Sequence, residues 1–268
     1  MNNNLEIAIP TYNRPLICRI RTLQLFRELK QYIVLYVESE EQKQLYLNED
    51  PTYEQYRFVI TKTQGIGAKR NFIKQHTPKK WLLQVDDDIE QIQKLNDWSN
   101  FVQPLKPEEL EDFITSCFMT CIGNNAKLWG INGYTNYYYF KRTISTNLKF
   151  ICGNFHGTIM EGNPVLTPIN TMEDYYNTME HFRRDGKVVR FNDYGTQTRF
   201  GANPGGLQTL LPGDERLEEE EQNINFLVSN FKKMCWRVQK KRGADLRLNP
   251  HFKNPPKPTL HFHNEDCL

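Results

Sequence analysis

Residues 64–90 read QGIGAKRNFIKQHTPKKWLLQVDDDIE, and the way this stretch divides decides the fold. Gly65 and Gly67 permit a tight turn in which backbone can approach a ligand closely. Residues 68–76 then carry apolar side chains at Ala68, Phe72 and Ile73 with helical spacing, and Pro78 ends that helix. WLLQV at 81–85 is an apolar run of strand length, and Asp86, Asp87 and Asp88 follow at once. Open α/β sheets bind ligands beyond the carboxyl ends of their strands, so carboxylates released there are well placed for chemistry. Three adjacent carboxylates repel one another, and a hard divalent cation relieves that repulsion. A solvated acidic turn is the plain alternative. Arg70 argues against it, because one short helix earlier it brings a planar cation suited to phosphate oxygens to the same sheet edge. Metal, carboxylates and arginine together describe a diphosphate site.

Working outward, 268 residues with 38% hydrophobic and 25% charged content can bury a full core, which excludes a fibrous or disordered chain. The opening MNNNLEIAIP lacks a basic segment followed by an apolar core, and no apolar run approaches the ~18 residues of a membrane span. The expectation is a soluble, cytoplasmic protein. The six cysteines, at 18, 117, 121, 152, 235 and 267, show neither CxxC nor secreted-scaffold spacing, so reduced thiols are expected, with Cys117 and Cys121 packed in the core. A net charge of +2 decides little about partners. Local cation clusters exist at Lys79-Lys80, Lys141-Arg142, Arg183-Arg184 and between Lys232 and Arg242, each read first as a solvated face.

In chain order, residues 5–9 form an apolar strand, and Pro15 opens a helix to about residue 29 with Leu16, Ile20, Leu23 and Phe26 on one face. Residues 33–37 are a second strand ending at Glu38, Ser39 caps a helix to about residue 47, and 57–61 form a third strand. With 81–85 these strands alternate with helices, the pattern of parallel βαβ winding. The G-x-G-x-x-G fingerprint is absent at the first turn, which disfavours a dehydrogenase. Further on, 107–121 reads as an amphipathic helix. Residues 128–140 read as an aromatic strand, a sheet face or a stacking wall for a sugar or extruded base. Gly153 and Gly157 flank a polar strand that allows close passage beside a bound group. Thr171 is placed to cap a helix through residue 185. Residues 192–213 form a long glycine-containing loop of the lid type, and 214–242 form one long helix, acidic at its start and basic at its end. The tail alternates so that His261 and His263 share a side of an extended segment.

Strand-PTYNR, the Glu closing the second strand, GIGAKRN, and strand-DDD together resemble the nucleotide-sugar glycosyltransferases of the GT-A fold. The resemblance implies an α/β fold with a Rossmann-like mixed sheet and a C-terminal helical extension. Residues 1–213 would form the transferase domain, divided into a nucleotide-sugar half at 1–90 and an acceptor half at 91–213, with 214–268 packing on it. It further implies that Thr11, Asn13, Arg14 and Glu38 hold the nucleoside and that Gly67 and Arg70 approach the phosphates. Asp86 and Asp87 would serve the nucleotide, Asp86 at the ribose, while Asp88 leads the binding of Mn²⁺ or Mg²⁺. Asp86 and a returning tail histidine, His261 or His263, are further candidates for the metal. The Glu173-Asp174 pair occupies the place of the acceptor base in inverting members, Asp174 first and Glu173 second.

More narrowly, GIGAKRNFI, WLLQVDDDI, MEDYYNTM, KVVRFNDYG, the PGGLQ loop and the RLNPHFK tail are most similar to the TET/JBP-associated glycosyltransferases, which include phage DNA-modifying enzymes and the base J glucosyltransferase. This similarity implies transfer of a sugar, glucose first, from a UDP-sugar to the hydroxymethyl group of a modified pyrimidine in DNA, such as 5-hydroxymethylcytosine or 5-hydroxymethyluracil. Two other readings stand beside it: a transferase acting on a glycan or protein, and a catalytically silent nucleotide- or DNA-binding module on the same fold.

Overall fold

The computed structural model describes residues 4–96, 101–134, 136–198, 213–240 and 243–253. Its first half is wound as the apolar runs require. Strands β1 (Leu5–Pro10), β2 (Ile33–Val37), β3 (Arg57–Ile60) and β4 (Trp81–Val85) lie parallel in the order β3-β2-β1-β4. Every residue of β1 and β2 is buried, as strands covered on both faces must be. Helix α2 (Glu40–Glu49) is capped by Ser39, whose hydroxyl accepts from the Gln42 N–H, and α3 (Ile66–His76) stops one residue short of the Thr77-Pro78 pair.

The sheet then turns mixed. Strand β9 (Phe155–Ile159) lies antiparallel between β4 and β7 (Leu128–Asn132), and β10 (Val189–Gln197) runs parallel to β7. Beyond β10, β5 (Gln91–Leu95) and β6 (Val102–Pro104) continue the sheet antiparallel, and β8 (Ile144–Ser145) pairs with β10 off the main path. Helix α4 (Leu110–Gly123) packs Phe113, Phe118, Cys117 and Cys121 into the main core. Helix α5 (Glu173–Asp185) and α6 (Gly213–Asn230) share a second apolar cluster that joins Met179 and Phe182 to Ile224, Leu227 and Phe231.

Five expectations about elements are corrected. The loop expected from residue 192 gives way to β10, which runs to Gln197. The first helix is a short α-turn, Pro15–Cys18, passing into a π-turn at Arg19–Leu23 and a 3₁₀ stretch at Arg27–Tyr32; this irregular winding buries Cys18, Leu23, Leu25 and Phe26 and leaves Leu16 and Ile20 exposed. The aromatic strand ends at Asn132, and Tyr137–Tyr139 form a 3₁₀ turn. Thr171 is not a helix cap: Met172 takes the N-cap position at φ 60°, and the Thr171 hydroxyl accepts from Asn223 instead. The expected long helix at 214–242 stops at Asn230, and its basic end is a hairpin of β11 (Cys235–Gln239) and β12 (Ala244–Leu248). No helix among the described residues is long and apolar enough to cross a membrane.

Candidate active site

Adjacent parallel strands deliver their C-terminal loops side by side, and the register of β1 with β4 brings residues 11–14 level with 86–88. The Thr11 hydroxyl donates to Asp87 Oδ2 at 2.5 Å, and Arg14 donates to Asp87 Oδ1 at 3.1 Å and to Asp88 Oδ2 at 3.3 Å. Asp87 is 4% exposed with both oxygens engaged by the protein's own groups. It therefore braces the acidic turn through Thr11 and Arg14. Burial pushes its carboxyl up to about 6, and Arg14 and Thr11 oppose that rise. Thr22 fixes the same turn from the first helical segment by donating to the Asp86 carbonyl at 2.8 Å and accepting from the Ile89 N–H at 2.9 Å.

Arg70 leaves α3 and joins two acidic groups that lie 87 residues apart in sequence, Asp86 and Glu173. Its Nη2 donates to Asp86 Oδ1 at 2.9 Å, its Nη1 donates to the Gly153 carbonyl, and its Nε faces Glu173 Oε1 at 3.5 Å. A side chain on residue 153 would sit 2.6 Å from the Arg70 guanidinium, so glycine is required for this passage. The Gly153 N–H in turn donates to Asp174 Oδ2 at 3.2 Å. The acidic turn and the Glu173-Asp174 pair are thus one site. Burial raises Glu173 to about 7, with Asp174 adding to the rise and Arg70 opposing it; Asp174 is likewise raised by burial. Asp86 is also raised, by burial first and by repulsion from Asp88, while Arg70 opposes.

The glycines of the site make room for neighbouring segments. A Cβ on Gly67 would lie 2.1 Å from the Ile169 carbonyl oxygen, and one on Gly65 would lie 2.6 Å from the Asn170 side chain. The close approach they permit within the protein is to residues 169–170, the segment that leads into α5. Gly157 likewise makes room for Trp129, at 2.1 Å. Asn13, at φ 54°, is tied to α2 through Gln42 on both its backbone N–H and its side-chain oxygen. Glu38 lies close enough to Lys69 for its charge to favour the ammonium.

Two lysines of the site were not singled out in the sequence. Lys69 is 6% exposed, donates to the Thr11 carbonyl at 3.1 Å and is lowered by burial to about 8 against the pull of Glu38 and Asp87. Lys74 is 5% exposed, donates to Asn177 Oδ1 at 2.7 Å and to the Val165 carbonyl at 2.9 Å, and is lowered to about 7, chiefly by burial. The sequence signal was available only for Lys69, which adjoins Arg70 within GIGAKRN. Helix α5 also lines an open cleft of about 320 Å³, whose walls carry Glu173 and Asp174 together with Arg216, Glu220, Lys240 and Asp245.

Asp86 and Asp88 supply the hard oxygen donors that Mg²⁺ and Mn²⁺ take. Their mutual repulsion fits a site that gains from a cation. No group of three or more His, Cys, Asp and Glu side chains arranged for a metal occurs among the described residues. His261 and His263, and residues 199–212 of the expected lid loop, lie outside the described residues.

Solved structures similar to this fold are glycosyltransferases. The chain matches S. aureus TarS 1-349 with TM-score 0.52 and 13% identity, covering 84% of this chain and 65% of that one. It matches glucosyl-3-phosphoglycerate synthase from Mycobacterium tuberculosis, solved with Mn²⁺, UDP and glucosyl-3-phosphoglycerate, with TM-score 0.53 and 12% identity over 94% of this chain and 90% of that one. A mannosyltransferase from Pyrobaculum calidifontis, solved with GDP-Man and Mn²⁺, matches with TM-score 0.55 and 10% identity over 84% and 64% of the two chains. The chain therefore spans just under two thirds of the first and third of these. No family model and no curated protein matches the chain. The fold is the GT-A fold: a mixed α/β sheet whose first strands are parallel and whose acidic turn follows the fourth.

Proposed function

We propose that the protein is a metal-dependent, inverting glycosyltransferase that moves a sugar, glucose first, from a nucleoside diphosphate sugar such as a UDP-sugar to the hydroxymethyl group of a modified pyrimidine in DNA. One observation carries the transferase reading: buried Arg70 holds part-exposed Asp86 and buried Glu173 in a single network, so the diphosphate-type acids and the base-type acids face one reaction centre. Neighbours of the same fold solved with Mn²⁺ and either a nucleotide sugar or UDP support it.

The division of labour follows from charge. A divalent cation held by Asp88 and Asp86 would supply neutralisation of the departing diphosphate. Arg70 adds a fixed positive charge beside that position without reorganising, because Gly153 and Asp86 already hold its guanidinium. Arg14 and Thr11 keep the acidic turn rigid through Asp87. Asp174 takes the acceptor hydroxyl proton as that oxygen attacks the anomeric carbon, and the bond from that carbon to the diphosphate oxygen breaks with its electron pair leaving on the diphosphate. Burial raises its affinity for protons, the direction that makes a carboxylate a stronger base. Glu173 is directed toward Arg70 and sets the charge balance behind Asp174. Inversion is favoured because a base is assignable and no separate nucleophile is.

The DNA acceptor rests on the similarity of the whole motif series to TET/JBP-associated glycosyltransferases and on the surface cation clusters. A second reading has its own observation. The α5 cleft carries four acids, Glu173, Asp174, Glu220 and Asp245, against two cations, Arg216 and Lys240, which suits a neutral hydroxyl-rich acceptor such as a glycan. Mass spectrometry of nucleosides from hydroxymethylated DNA, after treatment with the protein and a panel of donors, separates the two. The proposal expects a hexose-bearing hydroxymethylpyrimidine; transfer to oligosaccharide with none to DNA would replace the acceptor.

A further inference from the structure

Residues 133–150 carry an exposed patch that the transfer chemistry does not use. Tyr138 is 79% exposed, Tyr139 52% and Tyr134 44%, and Tyr139 stands edge-on to both of the others with ring centroids 5.4 and 5.5 Å apart. Contiguous exposed apolar patches, unlike single exposed residues, mark surfaces that bind a partner. Beside them Lys141 and Arg142 are exposed, and Lys149 is part-exposed. Lys149 is lowered first by burial and then by two other cations, Arg190 and Lys141, so positive charge is concentrated there.

The patch adjoins the reaction centre on two sides. Gly133 packs against Cys152, which precedes the glycine that holds Arg70, and a Cβ on Gly133 would lie 2.6 Å from the Cys152 sulfur. Phe150, next to Lys149, stacks at 4.3 Å on Tyr175, the residue after Asp174, and its carbonyl accepts from Arg190 at 3.2 Å. Rings for stacking beside cations for phosphate are the components by which proteins hold unpaired nucleic acid strands. A neutral glycan would use the rings but gain nothing from the cations.

We infer that Tyr134, Tyr138, Tyr139, Lys141, Arg142 and Lys149 form the docking surface for a polynucleotide with unpaired or extruded bases, with phosphates on the cations and the target nucleotide reaching past Tyr175 to the acidic cleft. This surface rests on the DNA reading of the acceptor. It divides the charge sensibly, because the acids stay at the hydroxymethyl group and the phosphates stay outside them.

The test is fluorescence anisotropy of a labelled hydroxymethylated oligonucleotide, single-stranded and duplex, without donor and over a salt series. The inference expects the single strand to bind tighter than the blunt duplex. Tyr138→Ala with Tyr139→Ala should weaken single-strand binding about tenfold or more with little change in salt slope. Lys141→Ala with Lys149→Ala should lower the slope by about one or more. All these positions lie at the surface, and far-ultraviolet circular dichroism confirms that each variant is folded. If the protein glycosylates hydroxymethylated DNA while both variants bind it as the wild type does, the docking surface is overturned and the acceptor assignment stands. If the DNA receives no sugar and a neutral oligosaccharide binds through the same tyrosines, the acceptor reading fails and this surface with it.

Discussion

Arg70 connects Asp86, Gly153 and Glu173, and it explains why single carboxylates here should have unequal effects. Asp88→Asn should lower sugar transfer with Mn²⁺ about 10³-fold or more, because the leaving diphosphate loses its chief neutralising partner; near-normal metal-dependent release of nucleoside diphosphate would contradict the assignment. Asp174→Asn should lower kcat about 10²- to 10⁴-fold. In the wild type the rate should fall as pH drops through the raised Asp174 titration, since a base works only when ionised, and a pH profile of kcat/KM checks this. Glu173 gives a stability prediction of definite sign. Its carboxyl binds its proton more tightly folded, at about 7, than unfolded, so its contribution is full at low pH and is lost as pH rises from about 4.5 to 7. The melting temperature of Glu173→Gln relative to wild type should therefore rise between pH 5 and pH 8, and a constant difference would refute the shift. The Arg70–Asp86 pair was legible in sequence because one short helix and one strand separate them. Lys74 and Thr22 were not, because burial by Val165 and Asn177, or by the acidic turn, is a long-range event that helical position alone does not encode.

Elements were legible where pattern and punctuation agreed, as at β4, whose apolar run stops at three aspartates, and at α2, whose Ser39 cap forms as expected. They were illegible where the charge pattern imitated a helix. The acidic start and basic end of 214–242 fit a dipole, yet Phe231, Met234 and Cys235 are drawn into the second apolar cluster, and Lys233 at φ 68° turns the chain into a hairpin. The glycines of GIGAKRN invite a ligand reading, although Gly67 meets the Ile169 carbonyl. Gly67→Ala should therefore destabilise the fold by about 1–3 kcal/mol through forced displacement of residues 169–170, measured by urea unfolding. The same variant should lower kcat, since that segment positions Glu173 and Asp174; unchanged stability would show that the space above Gly67 is open.

At the level of the whole molecule, two apolar clusters divide the work. The larger one runs through the main sheet from β1 and β2 to β7, β9 and β10 and takes in α4, and the second ties α5, which carries Glu173 and Asp174, to α6 and the hairpin. Leu227, fully buried in that second cluster, should cost about 2–5 kcal/mol when changed to alanine, with loss of transfer preceding global unfolding as denaturant rises, because the acids sit on the helix it supports. The sheet's parallel half was readable from alternation of apolar runs with helices, whereas the insertion of β9 between β4 and β7 was not, because strand order across a mixed sheet is set by pairing remote in sequence. The claim beneath all of this is that acids and arginine at one sheet edge process a nucleotide sugar. The most direct measurement is metal-dependent release of nucleoside diphosphate from a panel of nucleotide sugars, comparing wild type with Asp88→Asn. The account predicts release by the wild type that requires Mn²⁺ or Mg²⁺ and vanishes in the variant; release that is absent for every donor, or equal in both proteins, would contradict it.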